Sequence, residues 1–288
     1  MKRALKIELY KAFHNPLFFG ALLVGTLISV VNVIETILRV DRLGSLIIDT
    51  LTLEIGLPIS ASFEGISTFV CWLPLHGAGL GNTIFFTVMP IIATMPYGWS
   101  YNRERLSGYY YQSITRMGTN NYYFSKYFSV FMSGGTVILL PLLFDLVLVS
   151  MICPDVALDV NDSLLPILNY SFCGQLFYRN RWLYVLELCL VEFIWSGSIA
   201  CLTFLLGSTI HLWIMIVIVP FAMLLSVDFL TSVIASLFTT VTPVLPTQLF
   251  QPVSTYYNPG WLVTAVPTIL LLVTTCVGYR YIRKNDYL

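Results

Sequence analysis

Six long apolar runs alternate with polar connections along the chain: roughly Leu17–Leu38, Leu80–Ser100, Tyr127–Ile152, Leu183–Leu206, Leu212–Thr231 and Trp261–Tyr281. An α-helix needs about 20 mostly apolar residues to cross the hydrocarbon core of a bilayer, and each run is close to that length. The pattern predicts an all-α, polytopic membrane protein with six transmembrane helices. Two longer connections, Arg39–Gly79 and Cys153–Trp182, follow spans one and three, whereas Gly207–His211 joins spans four and five tightly. No internal repeat or low-complexity segment divides the chain, so residues 1–288 read as one transmembrane domain.

Two further segments carry their own patterns. Over residues 2–14, Leu5, Leu9, Ala12 and Phe13 fall on one helical face, with Lys2, Lys6 and Lys11 mostly on the other. An amphipathic basic helix ended by Asn15-Pro16 is suited to lie in the membrane interface before the chain turns inward; the plainer alternative is a charged anchor for span one. The stretch Thr231–Gly260 is uncharged and contains Pro243, Pro246, Pro252 and Pro259. These prolines forbid one continuous span. Short helices re-entering the membrane between spans five and six fit the composition, because irregular backbone at that depth must be satisfied by protein. A loose external loop is the alternative.

Composition sharpens the solvent assignment. The chain is 57% hydrophobic and only 10% charged, with a mean hydropathy of +0.80, whereas a soluble domain carries about 25% charged residues. No basic run is long enough to track a phosphate backbone, which argues against nucleic acid. Six scattered cysteines form neither a CxxC pair nor a His/Cys cluster, so a metal site has no support. Cys71, Cys153 and Cys173 fall in the two long connections, where either one disulfide or free thiols fit. Residues 1–31 begin basic and become apolar as a signal peptide does, but the apolar part is too long and lacks a small-residue cleavage site.

Charge fixes the expected orientation. With the N-terminus inside, eleven of the fifteen Lys and Arg lie on inner segments: Lys2, Arg3, Lys6, Lys11, Arg103, Arg105, Arg116, Lys126, Arg280, Arg283 and Lys284. By the positive-inside rule both termini are cytoplasmic and the protein is a multi-pass component of the plasma membrane.

Five acids fall within or beside the predicted spans: Glu35, Asp145, Glu187, Glu192 and Asp228. At about 1.5 Å of rise per residue, Glu192 sits near the midplane and the others in the outer half. Intramembrane carboxylates are costly and usually face a cavity, a partner or another helix. One reading makes Glu192, Asp145 and Glu187 part of a pathway for a cationic or amphipathic cargo. The other leaves the acids protonated or paired with Arg39, Arg179 and Arg181.

Catalytic signatures are missing. His14, His76 and His211 are isolated, and there is neither an HExxH motif nor a serine nucleophile motif. Without GxxxxGK[ST], the chain has no phosphate loop for a nucleotide. The remaining concentration of polar chemistry is the segment 102–126, between spans two and three. Arg103-Glu104-Arg105 is followed by Gly108, by Tyr109-Tyr110-Tyr111-Gln112, by Arg116, and finally by Lys126 at the start of span three. Ser107-Gly108 can start a short helix, and Tyr and Arg are enriched at protein–protein hot spots. A tyrosine belt at the membrane interface is the competing description.

In that order of residues the chain resembles the permease subunits of ABC-2 type exporters. Those begin with an in-plane elbow helix, as residues 2–14 look here. Between spans two and three they carry an acid-and-arginine stretch, a glycine, a coupling helix and a later lysine. They also fold re-entrant helices between spans five and six and end in a short basic tail, like residues 280–286. Departures are Tyr109, where a small Thr is common after the glycine, and the lack of a proline near Met117-Gly118.

The resemblance implies a non-catalytic subunit, paired with a second permease as a homodimer or heterodimer and with two copies of a separate ATPase subunit. ATP and Mg would be held there, with no cofactor in this chain. Arg103, Glu104, Arg105, Gly108, Tyr109, Tyr110, Tyr111, Gln112 and Arg116 are then the ATPase-coupling candidates. Export of an amphipathic cargo, with peptides of the kind handled by bacteriocin-immunity and phenol-soluble modulin exporters placed first, is the expected activity. A proton-coupled secondary transporter using the buried carboxylates is the rival.

Overall fold

The structure is a computed structural model; it describes residues 2–52, 67–76, 79–155, 173–237, 265–271, 273–274, 277 and 280. Every regular element among them is an α-helix. The elements are α1 (Lys2–Phe13), α2 (Pro16–Thr52), α3 (Thr68–Cys71), α4 (Leu80–Thr94), α5 (Ser100–Leu106), α6 (Tyr109–Met117), α7 (Thr119–Ile152), α8 (Gly174–Arg179), α9 (Arg181–Thr209) and α10 (Trp213–Leu237), followed by helical turns at 265–271.

Among the described residues, four helices contain stretches long and apolar enough to cross a membrane: Pro16–Arg42, Thr119–Ile152, Arg181–Phe204 and Trp213–Val233. The second predicted span is shorter than expected. Its helix ends at Thr94, and the chain turns through residues 95–99 before α5 begins. The first predicted span is longer, since α2 continues through Thr52 into the connection expected to start at Arg39. The third helix also starts early, at Thr119 rather than Tyr127, so that Lys126 lies inside α7. Most of the sixth span and all of the proline-rich stretch beyond Leu237 lie outside the described residues.

The corner between α1 and α2 follows from local chemistry. Pro16 occupies the first helical position, where a missing N–H costs nothing. The Asn15 side chain accepts from the Leu17 N–H at 3.2 Å and donates to the Pro96 carbonyl at 2.9 Å, tying the corner to the end of α4. At the opposite end of α4, the Glu35 carboxylate accepts from the Leu80 and Gly81 N–H groups at 2.9 and 3.0 Å. An anion on the first turn satisfies orphan donors and the positive end of the helix dipole. Glu35 therefore has a structural task that its apolar sequence context concealed.

The core is centred on α7, which packs against α9, α2, α1 and α4. Close approach of α7 and α9 depends on glycine. A Cβ on Gly134 would stand 2.4 Å from the Ala200 Cβ, and one on Gly197 would meet the Phe131 ring at 2.6 Å. Without aqueous driving force inside lipid, such small-residue contacts let backbones pack closely and gain dispersion energy. By contrast α10 is peripheral: only 17% of its span is buried within this chain.

Candidate functional site

Where α1, the turn after α4, α5 and the start of α7 meet, four charged groups are enclosed together. Lys126 Nζ, on a fully buried side chain, lies 2.7 Å from Glu104 Oε1 and 3.0 Å from Glu8 Oε2. Lys11 reaches Glu8 at 3.0 Å and Glu104 at 3.6 Å. Two tyrosines complete the set: Tyr97 donates to Glu8 Oε2 at 2.7 Å, and Tyr122 donates to Glu104 Oε2 at 2.6 Å. Lys126 also donates to the Tyr97 oxygen at 3.1 Å. Two lysines face two glutamates, so the cluster is neutral. Its lone pairs and protons are largely matched, as a buried ionic group requires.

Burial alone would push the Glu8 carboxyl up. Lys126, the Tyr97 hydroxyl and Lys11 outweigh it and hold the group below the usual glutamate range. Lys11 behaves symmetrically, with burial pulling it down and Glu8, then Glu104, raising it above the ordinary lysine value.

Glu8 was not among the residues singled out by the sequence. The face of α1 that packs on the protein is Ala4–Glu8–Ala12, with its i, i+4 spacing, while Ile7 and Tyr10 are exposed. The expected apolar stripe of Leu5, Leu9 and Phe13 is only half-buried. A lone acid flanked at ±4 by alanines in an otherwise basic helix was the available signal.

Directly beyond this cluster stands α6, bounded by two glycines in the left-handed half of backbone space, Gly108 (φ 75°) and Gly118 (φ 76°). L-residues pay for that conformation and glycine does not. The helix is amphipathic at i, i+3, i+4, i+7 spacing. Tyr110 and Ser113 are buried and Ile114 and Met117 half-buried, against Tyr101, Tyr122 and Phe204. The Tyr110 ring meets Tyr101 edge-on at 5.8 Å and Tyr122 at 5.4 Å. Tyr109, Tyr111, Gln112 and Arg116 point outward.

The coupling candidates thus divide by direction. Glu104, with 14% of its side chain exposed, and Tyr110 face inward and brace the element. Arg103 is exposed and lies over the Trp99 ring at 5.5 Å, and Arg105 is half-buried. A cavity of about 720 Å³ opens between α1 and α6, lined among others by Lys11, His14, Trp99, Tyr109 and Gln112.

The cargo-pathway candidates do not converge. Asp145 is buried on α7 and fully engaged. It accepts from Asn32 Nδ2 at 3.0 and 3.1 Å and from the Leu73 N–H at 2.8 Å. With the Asn32 amide so directed, its Oδ1 accepts from His76 Nδ1 at 2.8 Å. Burial, reinforced by Arg39 and opposed by Glu35, pulls the His76 imidazole below its ordinary range, consistent with a neutral donor. Glu187 accepts from the Cys173 thiol at 3.0 Å. Glu192 differs: it is 1% exposed, and neither carboxyl oxygen has a hydrogen-bond partner among the described residues. Asp228 is half-buried on α10.

Cys71 and Cys153 are buried thiols, not joined in a disulfide, that pack in one cluster with Val149, and Cys173 is a half-buried thiol. Among the described residues no three His, Cys, Asp or Glu converge as metal ligands. No protein-family model, no curated protein and no solved structure matches this chain. The long apolar helices are consistent with a membrane-embedded protein.

Proposed function

We propose that the chain is the permease subunit of an ATP-driven exporter of the ABC-2 kind, moving a hydrophobic or amphipathic cargo, foremost a peptide, out of the cell. In this reading it has six spans and cytoplasmic termini, α1 is the in-plane elbow helix, and α6 is the coupling helix. Two permeases, identical in the simplest case, pair with two ATPase subunits that hold ATP and Mg.

One observation carries the reading. The outer face of α6 offers Tyr109, Tyr111, Gln112 and Arg116, while its inner face is tied through Tyr110 and Tyr122 to Glu104, Lys126 and Glu8. A push on that face is therefore delivered to α1 and to the start of α7 together. A soft loop would dissipate it. A surface of exposed tyrosines with an arginine matches the composition of protein-binding hot spots, and a conformational change follows only where the two states bind the partner differently.

Purification of the tagged chain from its host in mild detergent tests this. A nucleotide-hydrolysing subunit copurifies with the unaltered chain, and Tyr111→Ala with Arg116→Ala abolishes its recovery. Retention of that subunit by the double variant removes α6 from the interface.

The buried Glu192 carboxyl, without a partner among the described residues, favours a second reading, proton-coupled transport. That reading requires transport driven by a proton gradient in liposomes holding this chain alone. It also requires loss of that transport in Glu192→Gln. In the exporter reading the same substitution removes cargo stimulation of ATP hydrolysis.

A further inference from the structure

A second cavity, of about 550 Å³, adjoins the first, and both are lined by Trp99, Arg103 and Ser107. The remaining walls of the second come from α2, α5, the turn before α10 and the start of α10. They include Leu17 at the start of α2, Leu106 at the end of α5, and His211 and Trp213 ahead of and at the start of α10. The volume lies within the range of small-molecule sites, roughly 300–1,000 Å³.

Its charge is one-sided. Among the described residues no Asp or Glu lines it, and Arg103 is its one permanently charged residue. Arg103 makes no ion pair within 4 Å among the described residues. The one acid next in sequence, Glu104, is already held by Lys126 and Lys11. A guanidinium lying over an indole keeps its in-plane N–H donors free for bidentate bonds to two oxygens of an anion such as phosphate.

The walls change character along the cavity. Asn102, Arg103, Ser107 and His211 supply polar groups, whereas Trp99, Trp213, Leu17 and Leu106 are apolar or amphipathic. Trp99 and Trp213 meet edge-on at 6.2 Å. Tryptophan concentrates at the level of lipid headgroups. The α1–α2 corner, the end of α4 and the start of α10 all meet at this one end of the bundle.

We infer that this cavity binds the phosphate of an anionic phospholipid from the adjoining leaflet. Arg103 takes the phosphate, and the acyl chains leave along Leu17 and Trp213. The inference depends on the proposed function only for the identity of that leaflet as the cytoplasmic one. The larger cavity, which reaches Tyr109 and Gln112, belongs instead to the proposed protein-docking face. A lipid in the smaller one would set how firmly α5 is held beside α10, directly behind the coupling element.

Bromolipid quenching of tryptophan fluorescence tests it on the purified full-length chain, without any ATPase. The probe is phosphatidylglycerol brominated near the carbonyl end of its acyl chains, in nanodiscs, against equally brominated phosphatidylcholine. One basic side chain at an anionic lipid surface gives a roughly fivefold preference for the anionic lipid. That preference is expected in the unaltered chain, is reduced in Arg103→Lys, which keeps the charge and loses the two-pronged donor, and disappears in Arg103→Gln. The quenching itself is expected to fall in the Trp99→Phe, Trp213→Phe double variant.

Equal quenching by the two lipids overturns the inference, as does a preference that survives Arg103→Gln in protein with an unchanged melting curve. Relief of the quenching by glycerol phosphate as effectively as by intact phosphatidylglycerol shows a site for the phosphate alone, and also overturns it. Loss of the preference only on adding an acidic peptide, with none of the variants affecting it, assigns the cavity to a protein. Failure to recover an ATPase with the chain leaves all these outcomes readable.

Discussion

Lys126 Nζ sits 2.7 Å from Glu104 Oε1, and the lysine side chain is entirely enclosed while the glutamate retains 14% exposure. The same ammonium reaches Glu8 at 3.0 Å. One cation on α7 thereby holds a helix that precedes the first apolar run and a helix that follows the second. Such a group costs several kcal/mol to desolvate, and it persists only with good geometry and additional hydrogen bonds. Tyr97 and Tyr122 provide those bonds.

Removing the cation exposes the cost. Lys126→Met leaves the Glu8 and Glu104 carboxylates facing each other with Lys11 as the one ammonium beside them among the described residues. The expected loss is about 3–5 kcal/mol, the range for stripping one partner from a buried pair. Thermal unfolding in detergent measures it. Adding Glu8→Gln to Lys126→Met is expected to recover part of the loss, because one buried charge is gone.

The depressed Glu8 carboxyl sets an acid limb. Its ordinary value is 4.5 and its folded value is lower. The unfolded chain therefore takes up the proton first as pH falls. The stabilisation is complete above pH 4.5 and is lost as pH drops through the folded value. Lys11, raised above 10.5, contributes below that pH and loses its contribution as pH rises through its folded value. Melting temperatures measured against pH should show a plateau between these limits, and Glu8→Gln should flatten the acid side.

Gly108 and Gly118 separate backbone strain from packing. A Cβ at either would meet no described residue within 4 Å. Gly108→Ala is expected to cost about 1–2 kcal/mol purely for the left-handed conformation, and Gly108→Asn less, because Asn tolerates it. Chemical denaturation of the two variants provides the comparison.

At the other end of the bundle, Asn32 donates to Asp145, donates to the Cys71 carbonyl and accepts from His76. Asn32→Ala deprives His76 of its acceptor and leaves Asp145 with the Leu73 N–H. Each buried polar group left unmatched costs about 1–3 kcal/mol. Protease sensitivity in the connection following α2 should rise with the drop in melting temperature.

The sequence made some of this legible and hid the rest. The four long helices and the glycine-bounded α6 follow from apolar runs and local turn chemistry, which are short-range signals. Direction within the segment 102–126 was not visible: Glu104 and Tyr110 share it with Tyr111 and Arg116, yet point to opposite sides. Glu8 and Lys126 are 118 positions apart, and nothing local links them. Likewise the pairing of Asp145 with Asn32 and the Leu73 N–H cannot be read along the chain. Long-range pairing of polar groups is a tertiary property, and the apolar pattern carries no record of it.

Photo-crosslinking from position 111 in the host membrane tests the central claim most directly. With a benzophenone side chain replacing Tyr111, irradiation is predicted to join the chain to a subunit carrying a phosphate-binding loop, and ATP with vanadate should change the yield. The same probe at Tyr110, buried behind the helix, should give no such product. A Tyr111 adduct consisting only of lipid, with no ATPase recovered from position 111 or 116, would contradict α6 as the element through which ATP hydrolysis reaches the membrane.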